Sequence, residues 1–495
     1  MSKHWKFAGK CAIFVGMLSI SVCLIWHIIT PKFYFPSWPT TSTYLGFYQM
    51  EEKTVDVLFL GSSQTVSFFL PQELYNTFGI RGYNLGCEQQ NLVTSYFWLK
   101  EGLRFQKPET VVLECYMLFP YKSQETLNTD ESCTRKAMDY MKWSSVKMEA
   151  VDTICKLDEN QSLSSYYFPN IRYHERWANL SENDFSFWNM AEHWELKGYA
   201  PLVTYCGSED YAPLERDTAT QEAEMVPLMR EYLDHIEELC RQEGIRLVLV
   251  KTPTMEQDAA RSLAIQNYAD EHGLYFLDFN EKSLYNETGL DFKMDIGDNL
   301  GHGNLWGAQK VTRQIGRMLT NWYKMGGHED KQWETTKEFY NGIKKDSELA
   351  HIVDVEKYTA MLQDERYSVF ISAKDDCTAN LKDSVVNNLR NIGLQVSLQG
   401  KHGCSYLAVV SDGQIVEQND LSELWAEGTI RDGKVMYELL SAGSACGNTS
   451  SIKIDGTEYS KNGRGLNIVV YNHETKNIVD SVCFCTYEQG CPAVR

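Results

Sequence analysis

The feature that most narrows the fold is an alternation of short apolar runs with longer amphipathic ones. TVDVLFLG (54–61), GYNLG (82–86), ETVVLECYML (109–118), IRLVLVKTP (245–253) and LYFLDFN (274–280) read as strands. Several are apolar at successive positions, so both of their faces are expected to be buried. PQELYNTFG, QNLVTSYFWLKEGLRF, TATQEAEMVPLMREYLDHIEELCRQEG, EQDAARSLAIQNYADEHG and NLWGAQKVTRQIGRMLTNWY follow or separate them with helical periodicity and helix-ending glycines. Strands separated by helices predict an α/β unit, a parallel sheet covered on both faces. Such sheets place their ligands at the carboxyl ends of the strands.

The remaining sequence falls into three further parts. An aromatic-rich stretch of about 122–219 interrupts the alternation and reads as a mostly helical insertion. A charged stretch, about 326–345, reads as a linker closing the unit at 31–325. From 346 to 495, YSVFISAKDD, NLKDSVVNNLRNIG, LQVSLQG and SYLAVVSDGQIVEQ predict strand, helix, strand, strand, and SSIKIDGTEYSKNGRGLNIVVYNHETKNIVDSVCF adds hairpins turning at DG and NHET. This is expected to be a separate, compact α+β domain.

At the amino end, CAIFVGMLSISVCLIWHII (11–29) carries no Asp, Glu, Lys or Arg, after Lys3, Lys6 and Lys10. Its length approaches the ~20 residues that cross a bilayer. The preceding cations predict a cytoplasmic amino terminus. The bulky residues that follow, TPKFYFPSWP, offer no small-x-small cleavage site. Residues 1–30 are therefore expected to be a cytoplasmic tip and a retained single-pass anchor, with the bulk of the chain extracytoplasmic; a cleaved signal peptide and a buried soluble helix are the alternatives. The balance of 47 basic against 67 acidic residues, net −20, argues against nucleic acid as a partner. Of the fourteen cysteines, Cys446, Cys483, Cys485 and Cys491 crowd the carboxyl end, where an oxidising compartment would let them pair. No Cys/His spacing suits zinc, and no metal or other cofactor is implied.

Two serines, Ser62 and Ser63, stand at the carboxyl end of the first strand. A serine hydroxyl needs an imidazole to take its proton and a third group to orient that imidazole. His302, in DFKMDIGDNLGHGNLWGAQKVT, lies after the last strand and before the closing helix, on the same sheet edge, with Asp298 and Asp295 in its loop. His174 and His193 fall in the insertion, and His235 and His272 on helices. By itself Gly61-Ser62-Ser63 is an ordinary strand-to-helix turn, and His302 an ordinary helix-cap residue.

Taken together, VLFLGSSQT, YNLGCEQQN, VVLE and DNLGHGNLWGAQKVT resemble the SGNH (GDSL-type) hydrolases, over about 55–323. The closer resemblance is to their membrane-anchored branch, which includes the D-alanyl-transfer protein of lipoteichoic acid synthesis and the alginate O-acetylation proteins. The resemblance implies a flavodoxin-like three-layer sheet. It implies Ser63 as nucleophile, His302 as general base and Asp298 as its orienting partner. It implies backbone N–H groups of Ser63 and Gly86 as the oxyanion hole. The sequence departs from the pattern twice. Asp stands four residues before the His instead of three, with Asn299 at the usual place, so Asp298 and Asp295 both remain open. The oxyanion Asn after the third strand is missing, with Glu114 and Tyr116 in that region, where both read as buried strand-end residues.

FISAKDDCTANLKDSVVNNLRNIG and the segment 451–484, with Gly463-Arg464-Gly465-Leu466-Asn467, are similar to the interleukin-like EMT-inducer (GG-type) domain, which implies glycan binding, or packing and dimerisation. Trp188 and Trp194 of the insertion would line a sugar groove or pack in the core, and Trp306 is expected to pack. The expected function is an extracytoplasmic O-acyl (by preference acetyl) transferase or esterase acting on a cell-surface polysaccharide, with a membrane-bound O-acyltransferase as the partner implied by the resemblance. The alternative is a non-catalytic glycan-binding partner of such a transferase, with a degenerate site.

Overall fold

In the computed structural model, residues 3–33, 40–122, 125–186, 194–215, 218–395 and 401–495 are described. The chain divides into two compact units, Met1–Tyr340 and Asn341–Arg495.

Among the described residues the first unit holds five strands, β1 (Val57–Gly61), β2 (Gly82–Gly86), β3 (Thr110–Glu114), β4 (Arg246–Lys251) and β5 (Tyr275–Asp278). They form a sheet of order β2-β1-β3-β4-β5 in which every pairing is parallel. Side chains alternate between the faces with period two. Leu58, Leu60, Val111, Leu113, Leu247 and Leu249 share one core, with helices Leu92–Leu103 and Pro227–Glu243. Val57, Phe59, Val112, Val248 and Val250 share the other, with the closing helix Leu305–Tyr323. Helices on both faces explain why the strand sequences lack a polar face.

The strands fall where the apolar runs predicted them. One helix does not: the run beginning at Thr218 becomes helical only at Pro227, which stands at N1, where its fixed φ and missing N–H cost nothing. The insertion is helical at Glu131–Met138, Ser145–Leu157 and the short turns up to Phe185, but irregular over 197–215 and 218–226. Tertiary contact overrides helix here. β2 is an edge strand, and the insertion covers it: the N–H of Asn84 donates to the Lys197 carbonyl over 3.0 Å, and Asn84 Nδ2 to the Gly198 carbonyl. A covered edge cannot recruit another chain.

The stretch read as a linker, 326–345, contains helices Lys331–Thr335 and Lys337–Leu349. Trp333 within it is fully buried in the first core, against Tyr75 and under the Lys197 ammonium, 4.2 Å from the ring centroid. Among the described residues one helix, Phe7–Ile29 (mean hydropathy 2.3), is long and apolar enough to cross a membrane, a property that signal sequences share.

The second unit is built on a ten-stranded sheet. Its strands are β6 (Tyr367–Asp375), β7 (Ser405–Ser411), β8 (Gln414–Asp420), β9 (Leu424–Ile430), β10 (Val435–Gly443), β11 (Thr449–Ile454), β12 (Thr457–Glu458), β13 (Gly465–Asn472), β14 (Asn477–Cys485) and β15 (Ala493–Val494). One edge of β6 is shared between β7 and β10, so the sheet branches there. One face packs on helices Val355–Met361 and Asp383–Asn391. The other encloses a core of strand residues, among them Phe370, Leu407, Leu439 and Val469. The hairpins at DG and NHET form as expected. Of the LQVSLQG strand, 396–400 lie outside the described residues. All fourteen cysteines are free, including the four near the carboxyl end.

Replacing Trp333 by Ala should destabilise the first unit by about 3–5 kcal/mol, the usual cost of emptying a buried indole site. Urea unfolding of the full chain in detergent, followed by circular dichroism, measures it. A loss under 1 kcal/mol would mean that residues 331–340 do not belong to this core.

Candidate active site

β1 ends at Gly61 with φ +141°, a conformation open to glycine and costly for other residues. A Cβ there would lie 2.6 Å from Thr65 Oγ1 and 2.8 Å from Glu114 Cβ. The chain turns at once into the short helix Ser63–Phe68, capped by Ser62, whose Oγ accepts the Gln64 N–H. Ser63 is the first helical residue, so its own N–H is not used by the helix ladder. Its side chain stands at the carboxyl rim of the sheet.

The second half of the site comes from the loop after β5. An antiparallel bridge between Ile296 and Gly303 closes this loop, reinforced by the Gly297 N–H donating to the His302 carbonyl over 2.8 Å. Asn304 then caps the closing helix, accepting the N–H groups of Trp306 and Gly307. Within the loop, Asp298 Oδ1 accepts the backbone N–H of Leu300 and of His302, at 2.9 and 3.1 Å. Its Oδ2 lies 2.7 Å from His302 Nδ1. His302 Nε2 lies 2.8 Å from Ser63 Oγ. With the Nδ1 proton directed at Asp298, Nε2 is left to accept the serine proton.

The four-residue spacing is thus accommodated by the loop, which folds the carboxylate back under the ring. Asp295, the other candidate, is engaged elsewhere. Its carboxylate is buried and paired with Lys310 at 2.7 Å, and it accepts the Asp291 N–H. Burial works to raise the Asp298 carboxyl, but the hydrogen bond and charge of His302 and the two backbone donors outweigh it, so its pKa lies below the usual value.

Glu114, at the end of β3 where the resemblance calls for Asn, is almost fully buried. It receives the Ser62 hydroxyl at 2.8 Å and the Tyr116 N–H at 2.6 Å. Burial pushes its carboxyl up to about 7 against the pull of these donors. Glu114 therefore positions the serine turn through Ser62. Tyr116, read as a second buried residue, instead lines the cavity at Ser63 and donates its hydroxyl to Glu256 over 2.8 Å. Gly86 ends β2 beside Gly61, where a Cβ would sit 2.6 Å from the Gly61 carbonyl oxygen. That close approach accounts for a glycine. Gly86 is not among the residues lining the cavity; Glu88 and Gln89, just beyond it, are.

The cavity at Ser63 and His302 holds about 220 Å³. Sequence reasoning missed several residues that shape it. Gln64 ties the serine helix to two loops, accepting from Thr252 Oγ1 at 3.1 Å and reaching the Gly301 carbonyl. Thr254, Met255 and Glu256 form the wall after β4. The strand-end rule that located Ser63 would have found this wall had it been applied to β4. A larger cavity of about 380 Å³ beside β5 shares no residue with this one. His235, exposed, packs on Tyr96 and Tyr232, and His272, half-buried, on Tyr268. Trp194 packs against the first core, and Trp306 lies against Tyr205. Trp188 and His193 lie outside the described residues. Asn467 of the second unit bonds back to Gly463 through both of its amide atoms, closing a turn. Among the described residues no group of three His, Cys, Asp or Glu is placed to hold a metal ion.

A scan against protein-family models gave no match, and a search of the curated proteins gave none.

Because the Glu114 carboxyl is raised on folding, the folded protein holds a proton that the unfolded chain releases from about pH 4.3 upward. Stability should therefore fall between about pH 4.3 and 7 and then level off from this group. Glu114→Gln should flatten that descent, with Oε1 still accepting the Tyr116 N–H and Nε2 now donating to Ser62 Oγ; urea midpoints taken across the range check it. Asp298 behaves oppositely: its lowered pKa adds stability that is lost as pH falls below about 4, and Asp298→Asn should lack that loss.

Proposed function

We propose that this chain is an extracytoplasmic serine O-acyltransferase or esterase of the SGNH type, acting on esters of a cell-surface polysaccharide. The observation that carries the reading is the continuous relay Ser63 Oγ–His302 Nε2, Nδ1–Asp298 Oδ2, with spans of 2.8 and 2.7 Å. Its placement at the carboxyl rim of a 2-1-3-4-5 parallel sheet supports a flavodoxin-like SGNH fold. The apolar helix Phe7–Ile29, preceded by Lys3, Lys6 and Lys10, supports a single-pass anchor with a cytoplasmic amino end and an extracytoplasmic site.

In this reading His302 Nε2 takes the Ser63 proton as Oγ attacks the ester carbonyl carbon. Asp298 holds the Nδ1–H and stabilises the imidazolium. The oxyanion that forms is received by the backbone N–H of Ser63; the resemblance adds that of Gly86, which ends β2 outside the cavity's lining. His302 returns the proton to the departing alcohol, leaving an acyl ester on Ser63. A sugar hydroxyl or a water then gives its proton to His302, attacks the acyl carbon and frees the serine. The first acceptor makes the protein a transferase, the second an esterase. A membrane-bound O-acyltransferase would supply the acyl group to the outer face, and the second unit would hold glycan. The alternative of a non-catalytic partner has the missing oxyanion Asn in its favour, but the intact relay weighs against a degenerate site.

A fluorophosphonate probe should label Ser63 of the full chain, and Ser63→Ala should abolish labelling. Asp298→Ala should slow acyl transfer or hydrolysis by about 10⁴-fold, as loss of an orienting carboxylate does elsewhere. Equal labelling of wild type and Ser63→Ala would reject the nucleophile. An acyl donor supplied with oligosaccharide then separates the two reactions, by whether sugar ester or free acid accumulates.

A further inference from the structure

The amino-terminal helix does not end bare. Trp26 meets Phe168 edge to face with ring centroids 5.8 Å apart. His27 Nε2 lies 2.9 Å from the Ser186 carbonyl oxygen, and Arg176 Nη1 donates to the Ile29 carbonyl over 2.8 Å. Asp184, itself buried, holds Arg176 in place at 2.8 Å. Three short helical segments of the insertion, Pro169–Tyr173, His174–Asn179 and Glu182–Phe185, thus pack around the helix where it stops.

These segments leave their large apolar side chains outside. Phe168, Ile171, Trp177 and Phe185 are 50, 48, 56 and 54% exposed. Single exposed apolar residues are ordinary on a protein surface. Four large ones within residues 168–185, on or capping segments that touch one helix end, are a local concentration that calls for a partner.

The helix length says what that partner is. From Phe7 to Ile29 it spans about 34 Å at 1.5 Å per residue, slightly more than the ~30 Å hydrocarbon layer. A bilayer that covers Phe7 therefore brings its outer boundary to the turn Trp26–Ile29. Side chains on segments bonded to that turn then stand at the depth of the lipid headgroups. Trp and other aromatic residues are favoured at that depth.

We infer that Phe168, Ile171, Trp177 and Phe185 form a lipid-binding surface that seats the first unit on the outer boundary of the membrane holding its amino-terminal helix. The inference rests on that helix spanning the membrane. Its consequence is a second attachment: the unit does not swing on a tether, and the direction in which the Ser63 cavity opens is set relative to the lipid plane.

The test uses the full chain, one copy per nanodisc of phosphatidylcholine and phosphatidylglycerol, with a trace of phosphatidylcholine carrying a diazirine close to its headgroup. After irradiation, labelled peptides are mapped by mass spectrometry. Peptides covering 168–185 should be labelled several-fold above the peptide carrying Tyr275, which is similarly exposed at 45%. The combined variant Phe168→Ser, Trp177→Ser and Phe185→Ser should bring that labelling down to the Tyr275 level, with fluorophosphonate labelling of Ser63 unchanged. Labelling of helix 7–29 without 168–185 overturns the inference while leaving the anchor intact. If chemical crosslinks then join these segments between copies in vesicles, the surface belongs to a protein contact. No labelling of either region overturns both the inference and the anchor.

Discussion

All five strands of the first unit run the same way, and the site depends on that constraint. Parallel strands send every carboxyl end to one rim, so a loop leaving β1 and a loop leaving β5 open on the same side even though 239 residues separate Ser63 from His302. Antiparallel pairing at either place would send one of them to the opposite rim. The sheet in turn depends on helices covering both faces, because its strands have no polar face to show to water.

On that frame, short-range chemistry sets the geometry. Gly61 and Gly86 lie side by side at the strand ends, where a Cβ on either would strike backbone or side-chain atoms. Glu114, Ser62 and the Tyr116 N–H then form a buried bonded set that fixes the turn carrying Ser63. Across from it, Asp298 folds its own loop through two backbone donors before it meets the imidazole. One carboxylate is thereby held below its usual pKa and the other above it, within the same rim. Burial dominates for Glu114, against its hydrogen-bond donors and the charge of Lys251. For Asp298, partly open to solvent, burial is outweighed by the bond and charge of His302 together with two backbone donors.

Much of this was legible in the residues. The burial of both faces of Val57–Gly61, Thr110–Glu114 and Arg246–Lys251 follows from their apolar runs, and the turns at Asp455-Gly456 and 472–476 from their turn residues. The irregular path over 197–215 and 218–226 was not legible, because its backbone bonds to segments far away in sequence, at Asn84, Val66, Ile296, Asn280 and Leu118. Trp333 lies in a charged stretch that reads as linker, and only its burial against Tyr75 and Lys197 places it in the core. The wall of the cavity after β4 carries no motif; Thr254, Met255 and Glu256 matter because the loop leaving β4 lines the same cavity as Ser63.

The sequence by itself determined which segments become strands, that their sheet must be covered on both faces, and that a serine and a histidine leave it at carboxyl ends. Periodicity and turn chemistry are local properties, and these conclusions need nothing more. Only the tertiary structure decided between Asp298 and Asp295, since Lys310 neutralises one and leaves the other for His302. It also decided that Glu114 holds the serine turn and that Tyr116 faces the cavity. Those outcomes turn on distances of a few ångströms between chain segments far apart in sequence, which no local pattern encodes.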